Sequence, residues 1–194
     1  MSRRLALLSV WLLCGCLAPR VPVEPRYFAP GVPPPTSSDA SPETGPVVEL
    51  RMRRVQSAAH LRDRLVWRRG VEIGFYDLLR WTEPPARYAQ VWLADELFAR
   101  RGFRRSNTLM TPTLSAKLTA FDELLSPTHE AWVGLDVMVV GSDRRVVFER
   151  SFNVKRPIPS DDPKAVADAL GEALAAVAAE VGAALSQELG ARPG

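Results

Sequence analysis

The chain has 194 residues, 46% hydrophobic and 24% charged, with a formal net charge of +3, the balance of a globular protein. Two cysteines and two histidines leave little for a disulfide framework or a thiolate metal site. The basic excess does not survive as a nucleic-acid signature: Arg3 and Arg4 sit in a removable leader, so Lys+Arg falls from 25 to 23 against 22 Asp+Glu, a net +1.

Met1-Ser2-Arg3-Arg4 is a positively charged start, and Leu5 to Leu13 is an apolar run broken only by Ser9. That run is far shorter than the ~20 residues a membrane-crossing helix needs, so it reads as a signal segment. It closes on Leu13-Cys14-Gly15-Cys16, which resembles the bacterial lipobox of an aliphatic residue, two small ones and a cysteine. Small residues let a signal peptidase approach the backbone before Cys16, whose thiol and freed amine then take acyl chains. Two or more such chains anchor a protein stably. The competing reading is an ordinary cleaved leader with incidental cysteines. Leu17, rather than Asp, follows Cys16, which implies release to the periplasmic leaflet of an outer membrane. With Cys14 removed and Cys16 acylated, no free thiol is left, and the domain must be held by its core alone.

Residues 16–46 form the expected tether, since Leu17 to Pro46 contains nine prolines with Ser and Thr between them. Such a stretch stays extended, at ~3.1 Å per residue, and would hold the domain several nanometres from the lipid. Tyr27-Phe28-Ala29 interrupts it as a short edge strand that docks on the domain. The domain itself is expected over residues 47–190, large enough for one real core.

Val48, Leu50 and Met52 alternate with charged residues, a half-buried strand. Leu65 to Trp67 and Glu72 to Leu79 read as strands around a turn at Arg69-Gly70. Thr82-Glu83-Pro84-Pro85 predicts a helix start capped by Thr82, running to about Arg101 before Gly102. Tyr88, Val91, Trp92, Leu97 and Phe98 are available to its buried side. Three alternating runs follow: Leu114 to Ala120, Ala131 to Val139 and Val146 to Val154, the last two joined by a hairpin turn at Gly141-Ser142-Asp143-Arg144. Arg150 breaks the apolar face of the third run, which places it near a sheet edge or assigns that facing wrongly. Ser160-Asp161-Asp162-Pro163 caps an Ala-rich helix to about Leu189, with Val166, Leu170, Leu174, Val177, Val181 and Leu185 at helical spacing. The expected fold is α+β: one antiparallel sheet with two helices on one face. No stretch after the leader is expected to reach membrane-spanning hydrophobic length.

Chemistry is sparse. His60 and His129 have no partner at metal-ligand spacing and read as solvated. No phosphate loop, no Gly-x-Ser-x-Gly and no Cys/His pair appears. Asp161-Asp162 stands where a helix start wants negative charge, while Asp122-Glu123 and Asp95-Glu96 read as solvated acids. Catalytic residues, metal and cofactor are therefore all expected to be absent. The Arg-rich span from Arg51 to Arg69 is either an ordinary solvated face or a surface for anionic headgroups or an acidic partner. Trp67, Trp81, Trp92 and Trp132 are expected in the core, with Trp81, beside a loop, the one positioned to be exposed.

Residues 55–97 resemble a known family. The run Leu61-Arg62-Asp63-Arg64-Leu65-Val66-Trp67-Arg68, then Glu72-Ile73, Tyr76 and Arg80-Trp81-Thr82-Glu83-Pro84, is similar to the ABC-type transport auxiliary lipoproteins of the PqiC-like group. Tyr27-Phe28 corresponds to the aromatic pair that follows the lipobox in that family. The chain departs from the pattern at Pro85 and in its longer proline tether. The resemblance implies an accessory lipoprotein that works with an ABC transporter and a mammalian-cell-entry-type periplasmic protein. It would dock the conduit at the outer membrane, as a homo-oligomeric ring in one arrangement, without nucleic acid. It marks Arg64, Trp67, Arg68, Tyr76, Arg80, Trp81 and Glu83 as candidate partner contacts. The alternative function is regulation of an envelope enzyme such as a peptidoglycan synthase, with a hydrolase third.

Overall fold

The computed structural model describes residues 23–31 and 48–190. The leader, the lipobox and most of the proline tether lie outside the described residues. The elements run β1 (Arg26–Phe28), β2 (Glu49–Met52), β3 (Gln56–Ser57), β4 (Arg64–Arg69), β5 (Glu72–Trp81), α1 (Pro85–Asp95), β6 (Arg104–Arg105), β7 (Thr113–Ser126), β8 (Glu130–Val140), β9 (Val146–Pro157) and α2 (Pro163–Leu189).

The fold is α+β, as the patterns predict, but the sheet is mixed. β7–β8–β9 is an antiparallel meander and β4–β5 an antiparallel hairpin. β4, β2 and β3 all run parallel to β7, and β1 runs parallel to β5. Parallel neighbours need long connections. Here the segment from β5 through α1 to β7 supplies one, so the direction of β4 beside β7 is set by α1 rather than by strand patterning.

Burial on the meander follows the alternation in the sequence. Ala131, Val133, Leu135, Val137 and Val139 are all buried, with Asp136 between them exposed. α2 lies over β8 and β9, presenting Val166, Leu170, Leu174, Val177, Val181 and Leu185 to them. Asp162 caps it by accepting from the Lys164 amide at 3.0 Å, and Gly190 ends it in the left-handed region. Among the described residues, α2 is by length and hydropathy apolar enough to cross a bilayer, contrary to expectation. Its apolar side is occupied by the sheet instead. Arg150 keeps the facing its sequence spacing gives it, on the edge strand β9. Its guanidinium lies 5.6 Å and 5.9 Å from the ring centres of Phe148 and Phe152 while the residue stays exposed.

Two expectations about α1 are corrected. Thr82 is not its cap: the helix begins at Pro85, and the Thr82 hydroxyl pairs with the Tyr88 hydroxyl at 2.8 Å. Pro84 precedes a proline and is held extended, with ψ at 138°, so helical geometry starts only at Pro85. The α-helix also stops at Asp95 and continues as a π-helical turn over Glu96–Arg100. A π turn aligns residues five apart, which matches the pairs Asp95–Arg100 at 2.9 Å and Glu96–Arg101 at 2.6 Å. Glu96 is therefore buried rather than solvated, close against Gly182 of α2, where a Cβ would fall 2.7 Å from its Cγ. Val91 points outward, and Ala89 and Leu93 take the core positions.

The short strand expected at Tyr27-Phe28-Ala29 is present. β1 lies beside the end of β5 with Phe28 opposite Trp81, and the Thr82 amide donates to the Phe28 carbonyl at 2.9 Å. Pro30 is buried against Gly171 of α2. The proline-rich segment is thus interrupted by a docked strand twenty residues before β2.

Candidate functional site

The β4–β5 hairpin carries the residues that the family resemblance marks, and β7 supplies what holds them. A bulge in β7 between Leu118 and Ala120 changes the phase of the strand, so Phe121 joins the core and Asp122 and Glu123 follow it inside the sheet. Neither acid is solvated, which corrects the expectation: Asp122 is 0% exposed and Glu123 is buried. A buried carboxylate is costly unless it is paired, and each of these finds partners on its own face of the sheet.

On one face, Arg68 Nη2 and Nε donate to Asp122 Oδ2 at 2.7 Å and 3.0 Å. The Trp132 ring lies 5.1 Å from that guanidinium, and its own N–H donates to Asn153 at 3.2 Å. His60 Nε2 faces Asp122 Oδ1 at 3.6 Å. On the other face, Tyr76 donates to Glu123 Oε2 at 2.7 Å, and His129 Nε2 sits 2.6 Å from Glu123 Oε1. His129 Nδ1 is 3.6 Å from Asp161 at the start of α2. Both histidines, expected to be solvated, are partly buried and face carboxylates. Burial, then the hydrogen bond to Glu123, then the charges of Glu123 and Asp161 hold the Tyr76 phenol above its ordinary value.

The remaining marked residues divide by exposure. Trp81 takes the core position expected of the tryptophans rather than the open one its neighbouring loop allowed: it is 2% exposed and packs edge-on against Phe121, with ring centres 5.1 Å apart. Trp67 lies across Gly74, where a Cβ would fall 2.0 Å from the indole. Arg64 and Arg80 face one another in the hairpin register; Arg64 reaches Asp77 at 3.7 Å and Arg80 reaches Asp63 at 3.5 Å. Glu83 is exposed and pairs with Arg87 at 3.5 Å. It also lines a groove of about 760 Å³ along α1, with Arg54, Gln90 and Arg105.

Asp122, Glu123, His60 and His129 are the site members that sequence reasoning missed. The available signal was the pair of adjacent acids continuing an apolar strand, together with an Arg-rich strand needing counter-charges. Part of the Arg-rich span is thereby internal. Arg51, Arg53 and Arg54 have no carboxylate partner among the described residues. Among the described residues no group of three His, Cys, Asp or Glu could hold a metal.

The fold and this site define a class: a single α+β domain whose marked hairpin is fastened to the central strand by buried ion pairs. The profile of the ABC-type transport auxiliary lipoprotein component matches residues 31–182, and the chain belongs to that family. Among solved structures, protein XCC0632 from Xanthomonas campestris is similar, with a TM-score of 0.67 at 22% identity, covering 85% of this chain and 96% of that one. An uncharacterized protein gives 0.63 at 13% identity, covering 84% of this chain and all (100%) of the other. The hypothetical protein CT253 from Chlamydia trachomatis gives 0.50 at 8%, covering 74% and 98%. These likenesses are of fold. No curated protein matches the chain.

Proposed function

We propose that this chain is the lipid-anchored accessory component of a mammalian-cell-entry-linked ABC transport system. Residues 1–15 are removed, Cys16 is acylated, and the domain docks the periplasmic protein at the inner face of the outer membrane. Membership of the transport auxiliary lipoprotein family, matched over residues 31–182, is the observation that carries this reading. The role is binding: the His129–Glu123–Tyr76 chain fastens the hairpin, with the carboxylate buried and a partner on each of its oxygens. Arg68, Tyr76 and Trp81 act as positioning residues beneath the contact surface. Arg64, Trp67, Arg80 and Glu83, partly or fully open, supply the contact itself, Glu83 from the lining of the α1 groove.

Photo-crosslinking in cells tests this from exposed positions around the hairpin and the start of α1, namely Arg62, Glu83 and Arg87. Adducts with a mammalian-cell-entry-type protein are expected. Capture of a peptidoglycan synthase alone would overturn the transport role and favour the regulation of an envelope enzyme.

A further inference from the structure

We propose that the β1–β5 edge of the sheet rests on the lipid surface, at the depth of the headgroups. The inference rests on the anchored reading above and adds an orientation to it. β1 is docked, so the free length between anchor and domain is not the whole proline-rich segment. Only seven residue steps separate Cys16 from Val23, the first described residue, and at ~3.3–3.6 Å per step they reach at most about 25 Å. Because β1 runs parallel to β5, with Arg26 opposite Leu79, the chain enters from the side of the β4–β5 turn. That end of the sheet is the one tied closely to the acyl chains.

The same edge is where exposed apolar side chains gather. Val23, Tyr27, Leu78, Ile73 and Val71 are half of the ten large apolar side chains that stand exposed among the described residues. They follow β5 from its turn, where Val71 is 100% exposed, to β1. The ten residues of β5 would span about 30 Å if regular, and the irregular pairing between Phe75 and Arg80 makes the strip shorter than that. The outer edge of β5 before Leu79 has no strand partner among the described residues, so its backbone groups need a polar layer. Headgroups and their water satisfy such groups, and hydrocarbon does not. Tyr27 beside Arg26 suits that depth, with an amphipathic ring and a long basic stem. The charges along the strip are mixed, Arg26, Arg69 and Arg80 against Glu24, Glu72 and Asp77, so the contact does not depend on an anionic surface.

The full acylated chain offers a direct test, because its mature form holds no thiol other than the acylated Cys16. Single cysteines replace Tyr27, Leu78, Val71 or, as a control at the far end of the sheet, Leu109, and each carries an environment-sensitive fluorophore. The protein is reconstituted in phosphatidylethanolamine–phosphatidylglycerol vesicles with and without nitroxide-bearing lipid. Blue-shifted emission and nitroxide quenching are expected at positions 27, 78 and 71, unchanged by salt, with neither at 109. Water-like, unquenched emission at the three edge positions of a vesicle-bound protein would overturn the orientation alone. A blue shift that nitroxide leaves untouched, and that grows with protein density, would overturn it in favour of a second copy on this edge. A chain recovered without acyl groups at Cys16 would overturn the anchor and this inference with it.

Discussion

Asp122 and Glu123 are neighbours on β7 that point to opposite faces of one sheet, and both are buried. Asp122 ties β4 to β7 through Arg68, while Glu123 ties β5 and the β7–β8 turn together through Tyr76 and His129. One dipeptide therefore anchors a hairpin from above and below, and the consequences of breaking each tie differ.

Arg68→Ala should cost more stability than Asp122→Asn. Loss of the arginine strips Oδ2 of its donors and leaves a fully buried carboxylate with only His60 and the Phe121 amide near Oδ1, at about 3–5 kcal/mol. Loss of the carboxylate charge leaves a partly exposed guanidinium that water can reach, at about 1.5–3 kcal/mol. Urea denaturation of the two variants decides the order, and an equal or reversed order would show that the pair is not buried as described.

Tyr76 makes stability fall at alkaline pH. Its folded pKa is raised by burial and by Glu123, so the neutral phenol is the form the fold holds. The contribution is complete below the unfolded value of ~10 and is lost as pH rises from there toward the folded value. Tyr76→Phe should flatten this alkaline limb and cost about 1 kcal/mol at neutral pH for the hydrogen bond. Melting temperatures from pH 7 to 11 check both halves.

Gly74 has no room for a side chain under the Trp67 indole. Gly74→Ala should destabilise by about 1–3 kcal/mol as an overpacking change. In a Trp67→Ala background the same substitution should be nearly neutral. A double-mutant cycle measures the coupling, and additive effects would mean that the ring does not lie over Gly74 in solution.

Docking of β1 should be visible at a single amide. Thr82 N–H donates to the Phe28 carbonyl, and Phe28 packs onto the core beside Trp81. Phe28→Asp should release the strand and raise hydrogen exchange at Thr82 while leaving the β8 amides protected. Unchanged exchange at Thr82 would show that β1 contributes no protection there.

Cys16→Ala should abolish incorporation of labelled fatty acid and move the protein from the membrane to the soluble fraction. Label retained by that variant would place acylation elsewhere.

Local patterns carried a large part of this protein. The alternation of Ala131 to Val139, the cap and spacing of α2, and an aromatic strand inside a proline-rich segment were all legible, because each depends on neighbours within a few residues. So was the family, from the run between Leu61 and Pro84. α1 starts later than Thr82 suggests, because each of two successive prolines, tolerated in a first helical turn, also constrains the residue before it. The sheet edge beside β1, the parallel placement of β4 on β7 and the roles of the histidines were decided only in three dimensions. The same is true of Asp122 and Glu123. Their partners lie up to 62 positions away in the chain, and nothing local distinguishes an acid that will face water from one that will meet Arg68. A carboxylate's burial is a property of the pair, and the pair exists only once β4 has been carried back beside β7.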